Sequence, residues 1–325
     1  MVVKVLSDDF KLREVLDKII YLKYNERLCR AGYASITIPF DKVHYEALKP
    51  PSRLLIEDMP YTVERIRCTK STIDIYARGI FHDFRHFAIT EPRTLEGTGA
   101  DIVCTLAGEL SFNGADYKVY GITDTSLPIQ KKLEWCTSYE GVITRLCIDN
   151  GLYFRIVLDR DSKELRFLVD KQVDRSVQNS LGYSVISDRR TPFLDLEFTR
   201  DMSNYKTRIE FLYRINAIQS YSSIVYDKTP SNELKRTYSE APQIIADTSE
   251  EVEALLEKRV AEVFERYRKT NELRVRISGK STHRVGQNCL FESEMLGESY
   301  KVAISKREYV LNRDEEYEEL VLEVI

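Results

Sequence analysis

Between Gly32 and Pro39 the chain reads Gly-Tyr-Ala-Ser-Ile-Thr-Ile-Pro, placing Ala34, Ile36 and Ile38 on one side and Tyr33, Ser35 and Thr37 on the other. Successive side chains of a strand point to opposite faces, so this alternation fits a half-buried strand and little else. Pro39 has no amide hydrogen for a sheet ladder and closes the run. Further on, Tyr76-Ala-Arg-Gly-Ile-Phe-His-Asp-Phe-Arg85 carries a second strand into a short helix.

The rest of the first ninety residues follows suit. Val2 to Leu6, Ile19 to Tyr24, Leu54 to Glu57, Tyr61 to Cys68 and Ser71 to Tyr76 read as strands separated by turn or charged residues. A helix fits Lys42 to Leu48 before Pro50-Pro51 must end it. The expectation is a small antiparallel barrel with one helix.

From Ala88 to Ser187 the period changes. Ile102, Leu106 and Leu110 share a helical face, and Tyr139, Val142, Ile143, Leu146, Cys147 and Asn150 make another, capped by Thr137 or Ser138. Leu152 to Leu158 and Glu164 to Val169 are strands flanking the polar connection Asp159 to Lys163. Strands resume at Phe193 to Thr199, Lys206 to Tyr213 and Ser223 to Tyr226, before an apolar-poor loop or arm from Pro230 to Pro242. Thr248-Ser-Glu-Glu251 is a capping box opening a helix whose stripe is Val252, Leu255, Leu256, Val260, Val263, Phe264 and Tyr267, read as packed on a sheet. Leu273 to Ile277, Lys301 to Ser305 and Glu319 to Val324 close the chain, with Gly279, Gly286 and Gly297 at turns.

The fold class expected is α+β, mostly β: two small antiparallel tube-like β-barrels, each with an inserted α/β domain. The first barrel takes 1–90 and its insertion 91–190. The second takes 191–240 and 280–325, with a helix-plus-strand insertion at 241–279.

Composition narrows the function. The 325 residues are 43% hydrophobic and 31% charged, enough for sizeable cores in roughly two to three domains. Its 48 basic and 52 acidic residues leave a net charge of -4, without the basic footprint of a dedicated nucleic-acid binder. Twenty tyrosines against one tryptophan suit a β-rich chain and are compatible with an assembly surface. The six scattered cysteines match no zinc spacing and read as reduced thiols, several of them core residues. Met1-Val-Val-Lys-Val-Leu does not read as a signal peptide, and no long apolar run predicts a membrane span, so the chain is expected to be soluble when made, with no membrane insertion.

Chemistry has one candidate centre. His82 and His86 sit four apart, where a helix would present both to one zinc. The metalloprotease pattern has glutamate after the first histidine, whereas Asp83 stands here, one methylene shorter. A third ligand would come from His44, His283, or a carboxylate such as Glu91 or Glu96. The alternative is an ordinary helix with Ile80, Phe84 and Phe87 packed inward. No serine-nucleophile elbow, P-loop or dinucleotide motif occurs. Asp159 and Asp161, a carboxylate pair, sit in a turn where charges are routine. The acidic run Asp314 to Glu319 reads as a solvated turn or, in a ring, as a channel lining that repels DNA phosphates. No catalytic, cofactor-binding or metal-ligating residue is therefore expected.

Taken in order, these segments resemble the hub or tail-tip proteins of tailed phages, prophages and contractile injection machines. Gly32 to Pro39 looks like their early strand, and Gly79 to Arg85 like the short helix after a strand. Phe198-Thr-Arg-Asp-Met-Ser-Asn-Tyr205 looks like the re-entry into a second barrel. Thr248 to Tyr267 is similar to a helix inserted in that barrel, and Gly297 to Ser305 with Glu308-Tyr309 to the final hairpin. Lys206 and Gln287 depart from the asparagine and the Gly-Asp pair usual at those places. The resemblance implies a structural, non-enzymatic homotrimer: a pseudo-sixfold ring adapting the tail tube, or a distal tail protein, to a spike or tip protein. DNA would pass through its channel without specific binding. The location implied is the virion tail, at baseplate or tip, after synthesis in the bacterial host cytoplasm. The alternative is a cell-envelope hydrolase, metallopeptidase-like, using His82 and His86. A third class is a carbohydrate-binding module with exposed tyrosines.

Overall fold

Burial along Tyr33–Pro39 alternates residue by residue, with Ala34, Ile36 and Ile38 fully inside, so the sequence period becomes a core-facing side of a sheet. This computed structural model describes the chain apart from residues 1, 113–114, 125, 160–163, 177–183, 190–192, 216–221, 241–244, 247–255, 257–258, 261–262, 265–266 and 268–269. Seven strands open it: β1 (Val3–Ser7), β2 (Leu12–Leu16), β3 (Tyr21–Arg27), β4 (Tyr33–Pro39), β5 (Ser52–Ile56), β6 (Met59–Cys68) and β7 (Thr72–Gly79). β4 lies antiparallel between β3 and β7, which sets Ile36 opposite both Leu22 and Ile75. These side chains join Val3, Leu54 and Tyr61 in one core. The strand β2 escapes sequence reading because it is an end strand of the sheet, with only Leu16 fully buried and no alternation to see. Helix α1 (Lys42–Leu48) has the expected bounds, and the Asp41 carboxylate accepts from the Val43 amide at 2.6 Å as its cap.

The long strand Glu298–Leu311 joins strands that the sequence reading assigned to two separate barrels. It pairs with Glu316–Val324 over Val302 to Leu311 and with β3 over Lys306 to Leu311. The result is one open sheet running from Phe193–Asp201 through Thr270–Ser278, Glu316–Val324, Glu298–Leu311, β3, β4, β7, β6, β5 and β1 to β2. No closed barrel occurs among the described residues, although the mostly β, α+β class holds. A register shift between Ile304 and Lys306 explains the misreading. A bulge inserts an unpaired residue and breaks the period of two, so the strand appears to stop at Ser305.

Between β7 and Asp174 the chain forms a 3-10 helix (Ile80–His86), β8 (Arg93–Gly97), α2 (Gly99–Gly108), β9 (Asp116–Tyr120), β10 (Ile129–Leu133), α3 (Tyr139–Asp149), β11 (Leu152–Leu158) and β12 (Glu164–Lys171). β12 pairs antiparallel with β11 and parallel with β9. Thr98 and Asp101 cap α2 reciprocally, and of the two caps expected for α3 it is Ser138 that accepts, from Gly141. The inner faces of both helices meet Phe81, Phe84, Phe154 and Phe167 in a second core. Its ring centroids lie 4.3 Å apart for Phe81–Phe154 and 5.0 Å for Phe154–Phe167, so the rings pack directly on one another.

By packing, the chain divides into residues 1–197 with 273–325, and residues 198–272. In the second unit Arg208–Ile215 pairs antiparallel with Ser222–Asp227 and parallel with Thr237–Glu240. The latter strand falls within the expected loop or arm, because its short Thr-Tyr-Ser-Glu run is held by ladder bonds with no apolar face to announce it. Leu256, Val260 and Val263 are buried with Ile209 and Phe211, as the expected helix stripe requires. The cap Thr248 and Glu251 lie outside the described residues.

Candidate functional site

The histidine pair does not assemble as a zinc site would need. Ile80–His86 is a 3-10 helix, and at about three residues per turn positions four apart diverge by roughly 120°. His82 points its two ring nitrogens at Glu140 (3.4 Å) and Glu64 (3.7 Å), while His86 is exposed and accepts from Arg85 Nε at 3.2 Å. Asp83, in the place of a catalytic base, accepts instead from Arg53 (3.0 Å) and Thr62 (2.9 Å). Ile80 and Phe84 pack inward as expected, but Phe87 stays 40% exposed and Phe81 takes the buried place. Glu91 is exposed, and Glu96 on β8 accepts from Gln130. Among the described residues no group of three or more His, Cys, Asp or Glu can hold a metal ion. Asp159 is bound by Arg166 at 2.8 Å, and Asp161 lies outside the described residues. All six cysteines are free thiols.

What the two opening sequence segments do build is a junction. The Gly79 amide donates to the Gly32 carbonyl at 2.9 Å, so the glycines that start one motif and precede the helix in the other touch. A Cβ on Gly32 would fall 2.0 Å from the Asn25 carbonyl oxygen, which leaves hydrogen as the only side chain that fits. Asn25 fixes the turn from within, its Oδ1 accepting from the Tyr33 amide at 2.9 Å and its carbonyl from Tyr61 at 3.4 Å. Beside this contact opens a small cleft of about 60 Å³, lined by Glu26, Arg27, Arg30, Met59, Phe154 and Arg155 among others.

Two glutamates on paired strands flank the junction with opposite electrostatics. Glu308 is buried, which opposes ionisation, yet Lys23 (2.7 Å), Lys306 (2.9 Å) and the Tyr33 hydroxyl (2.9 Å) surround it and hold its pKa down to about 2. Glu26 is pushed up by burial, and Arg155, whose Nε stands 3.6 Å away, does not compensate. On the face of Glu26, Arg307 pairs instead with the wholly buried Glu318. That pair corrects the acidic-run reading: Glu316 to Glu319 belong to a strand, and Glu318 is no channel-lining charge. Sequence reasoning passed over Asn25, Glu26 and Arg27, whose signal is a polar run at the end of an apolar strand.

No protein-family model matches the chain, and no curated protein matches its sequence. Solved structures do match over its whole length. A tail protein from Neisseria meningitidis is 14% identical, with 99% of this chain and 96% of that one covered at a TM-score of 0.65. A prophage MuSo2 43 kDa tail protein from Shewanella oneidensis is 11% identical, with 99% and 98% covered at 0.65. A prophage tail protein from Listeria monocytogenes is 17% identical, with 99% and 94% covered at 0.58. The chain thus has the fold of phage and prophage tail proteins, as the order of its sequence segments implied.

Proposed function

We propose that this protein is a structural hub of a phage or prophage tail tip or baseplate, without catalytic activity. The observation that carries the reading is the end-to-end match to tail proteins, in which nearly the full length of both chains is covered. Three copies form a ring in which two tube-like regions of each subunit alternate, giving a pseudo-sixfold face for the tail tube or a distal tail protein. Residues 1–90 serve as one such region and 191–240 with 280–325 as the other. Residues 91–190 and 241–279 are the insertions. The opposite, threefold face receives a spike or tip protein, and DNA passes through the channel without specific binding. The sheet is compatible with such assembly, because among the described residues its strand order ends at β2 and at Phe193–Asp201 rather than closing on itself. Subunits that meet head to tail around an axis close a ring. The site of action is the virion tail, and among the described residues no helix is long and apolar enough to cross a membrane.

Light scattering across a concentration series tests the stoichiometry. A mass three times 37.9 kDa is expected at the higher concentrations. A stable dimer, or a monomer that stays monomeric when mixed with tail tubes, contradicts the ring.

A further inference from the structure

The cleft beside Gly32 and Gly79 has an unusual balance of charge. Arg27, Arg30 and Arg155 line it against the single carboxylate of Glu26. Among the described residues Arg27 and Arg30 form no ion pair, and Arg30 is exposed. Arg155 lies 3.6 Å from Glu26 and 3.5 Å from Asp58, both longer than a good hydrogen bond. The Nε atoms of Arg27 and Arg155 are buried without a hydrogen-bond partner. Buried donors usually find acceptors, and a guanidinium presents a fork that matches the two oxygens of a carboxylate. The same cleft is also lined by the apolar residues Met59, Phe81, Phe154 and Ile156.

We infer that this cleft receives an acidic side chain from a partner polypeptide, with the carboxylate against the arginines and its aliphatic stem against Met59 and Phe154. The apolar lining disfavours a bare phosphate, which has no stem to bury, and the chain's net charge of -4 gives no general attraction for a polyanion. Glu26 does not pre-empt the place, since burial disfavours its own ionised form. The inference stands apart from the tail reading: any partner presenting such a side chain satisfies it.

The test uses the full chain with labelled methionine and isoleucine methyls, titrated with the capped peptide Ac-Leu-Glu-Leu-NH2, its Gln counterpart, free butyrate and inorganic phosphate. The expected result is a saturable shift of the Met59, Ile80 and Ile156 methyls by the Glu peptide, at least about tenfold weaker for the Gln peptide and for the other probes. Arg30→Gln, an exposed change that leaves the fold intact, is expected to weaken the Glu peptide several-fold, and Arg155→Gln more. Equal response to Glu and Gln peptides, no response to either, or butyrate or phosphate binding as tightly as the peptide overturns the inference. So does undiminished binding by both variants, with Arg30→Gln deciding alone if Arg155→Gln does not fold.

Discussion

One side of the sheet where β3 meets Glu298–Leu311 is saturated with partners, and the other is not. Around Glu308 every charge has a close counterpart: Lys23, Lys306 and Tyr33 converge on one carboxylate. Around Glu26, one residue along β3 from Glu308's partner Asn25, the Arg307–Glu318 pair is closed, while Arg155 stands 3.6 Å from Glu26. The alternation of a strand makes this possible, because neighbours in sequence face opposite sides. A saturated side holds the sheet together. An unsaturated one keeps interaction capacity for something outside the chain.

The largest effect expected comes from opening the closed pair. Glu318→Ala leaves Arg307 buried and unpaired, and is expected to lower unfolding free energy by about 3–5 kcal/mol in urea denaturation. Next is Gly32→Ala, whose Cβ would meet backbone at 2.0 Å and should cost about 3 kcal/mol, against about 1 kcal/mol for Gly79→Ala, where the nearest atom is 3.2 Å away. Equal costs at the two glycines would break the claim that the junction is built around Gly32.

The glutamates sharpen the contrast through pH. The pKa of Glu308 is held down, so the stability it adds is fully present above the ordinary value of 4.5 and is lost as pH falls toward about 2. Glu308→Gln should therefore flatten the acid limb of stability in that window, while lowering stability near neutrality by about 2 kcal/mol. Glu26 has the opposite sign. Its raised pKa means that the ionised form burdens the fold, and acidification through that pKa relieves it. Glu26→Gln should remove this relief and cost less than Glu308→Gln at neutral pH. Smallest is Arg30→Gln, expected within about 0.5 kcal/mol of the parent because its side chain is exposed and holds no ion pair among the described residues.

Much of the local structure was legible in the sequence. β4, α1, α2, α3 and β11 sit where period and capping residues put them, because each carries its own signal within a few residues. Pairing between distant strands carries none, so the single open sheet was missed, and the bulge near Ser305 hid the strand that joins its parts. The histidine pair misled for a related reason. A spacing of four implies one face only in an α-helix, and the tight packing of Ile80, Phe81 and Phe84 gives a 3-10 helix instead. The junction was half visible: Gly32 and Gly79 stood at the ends of motifs, but nothing in the local sequence singled out Asn25 or the arginines beside them.

The contrast between the two sides is tested most directly by following the side-chain carboxyl carbons of Glu26 and Glu308 through a pH titration of the folded protein by NMR, with Gln substitutions to assign them. Glu308 titrating well below 4.5 and Glu26 above it is the predicted result. Two glutamates titrating together near the ordinary value would show that both sides are alike, and the open side would then have no claim on a partner.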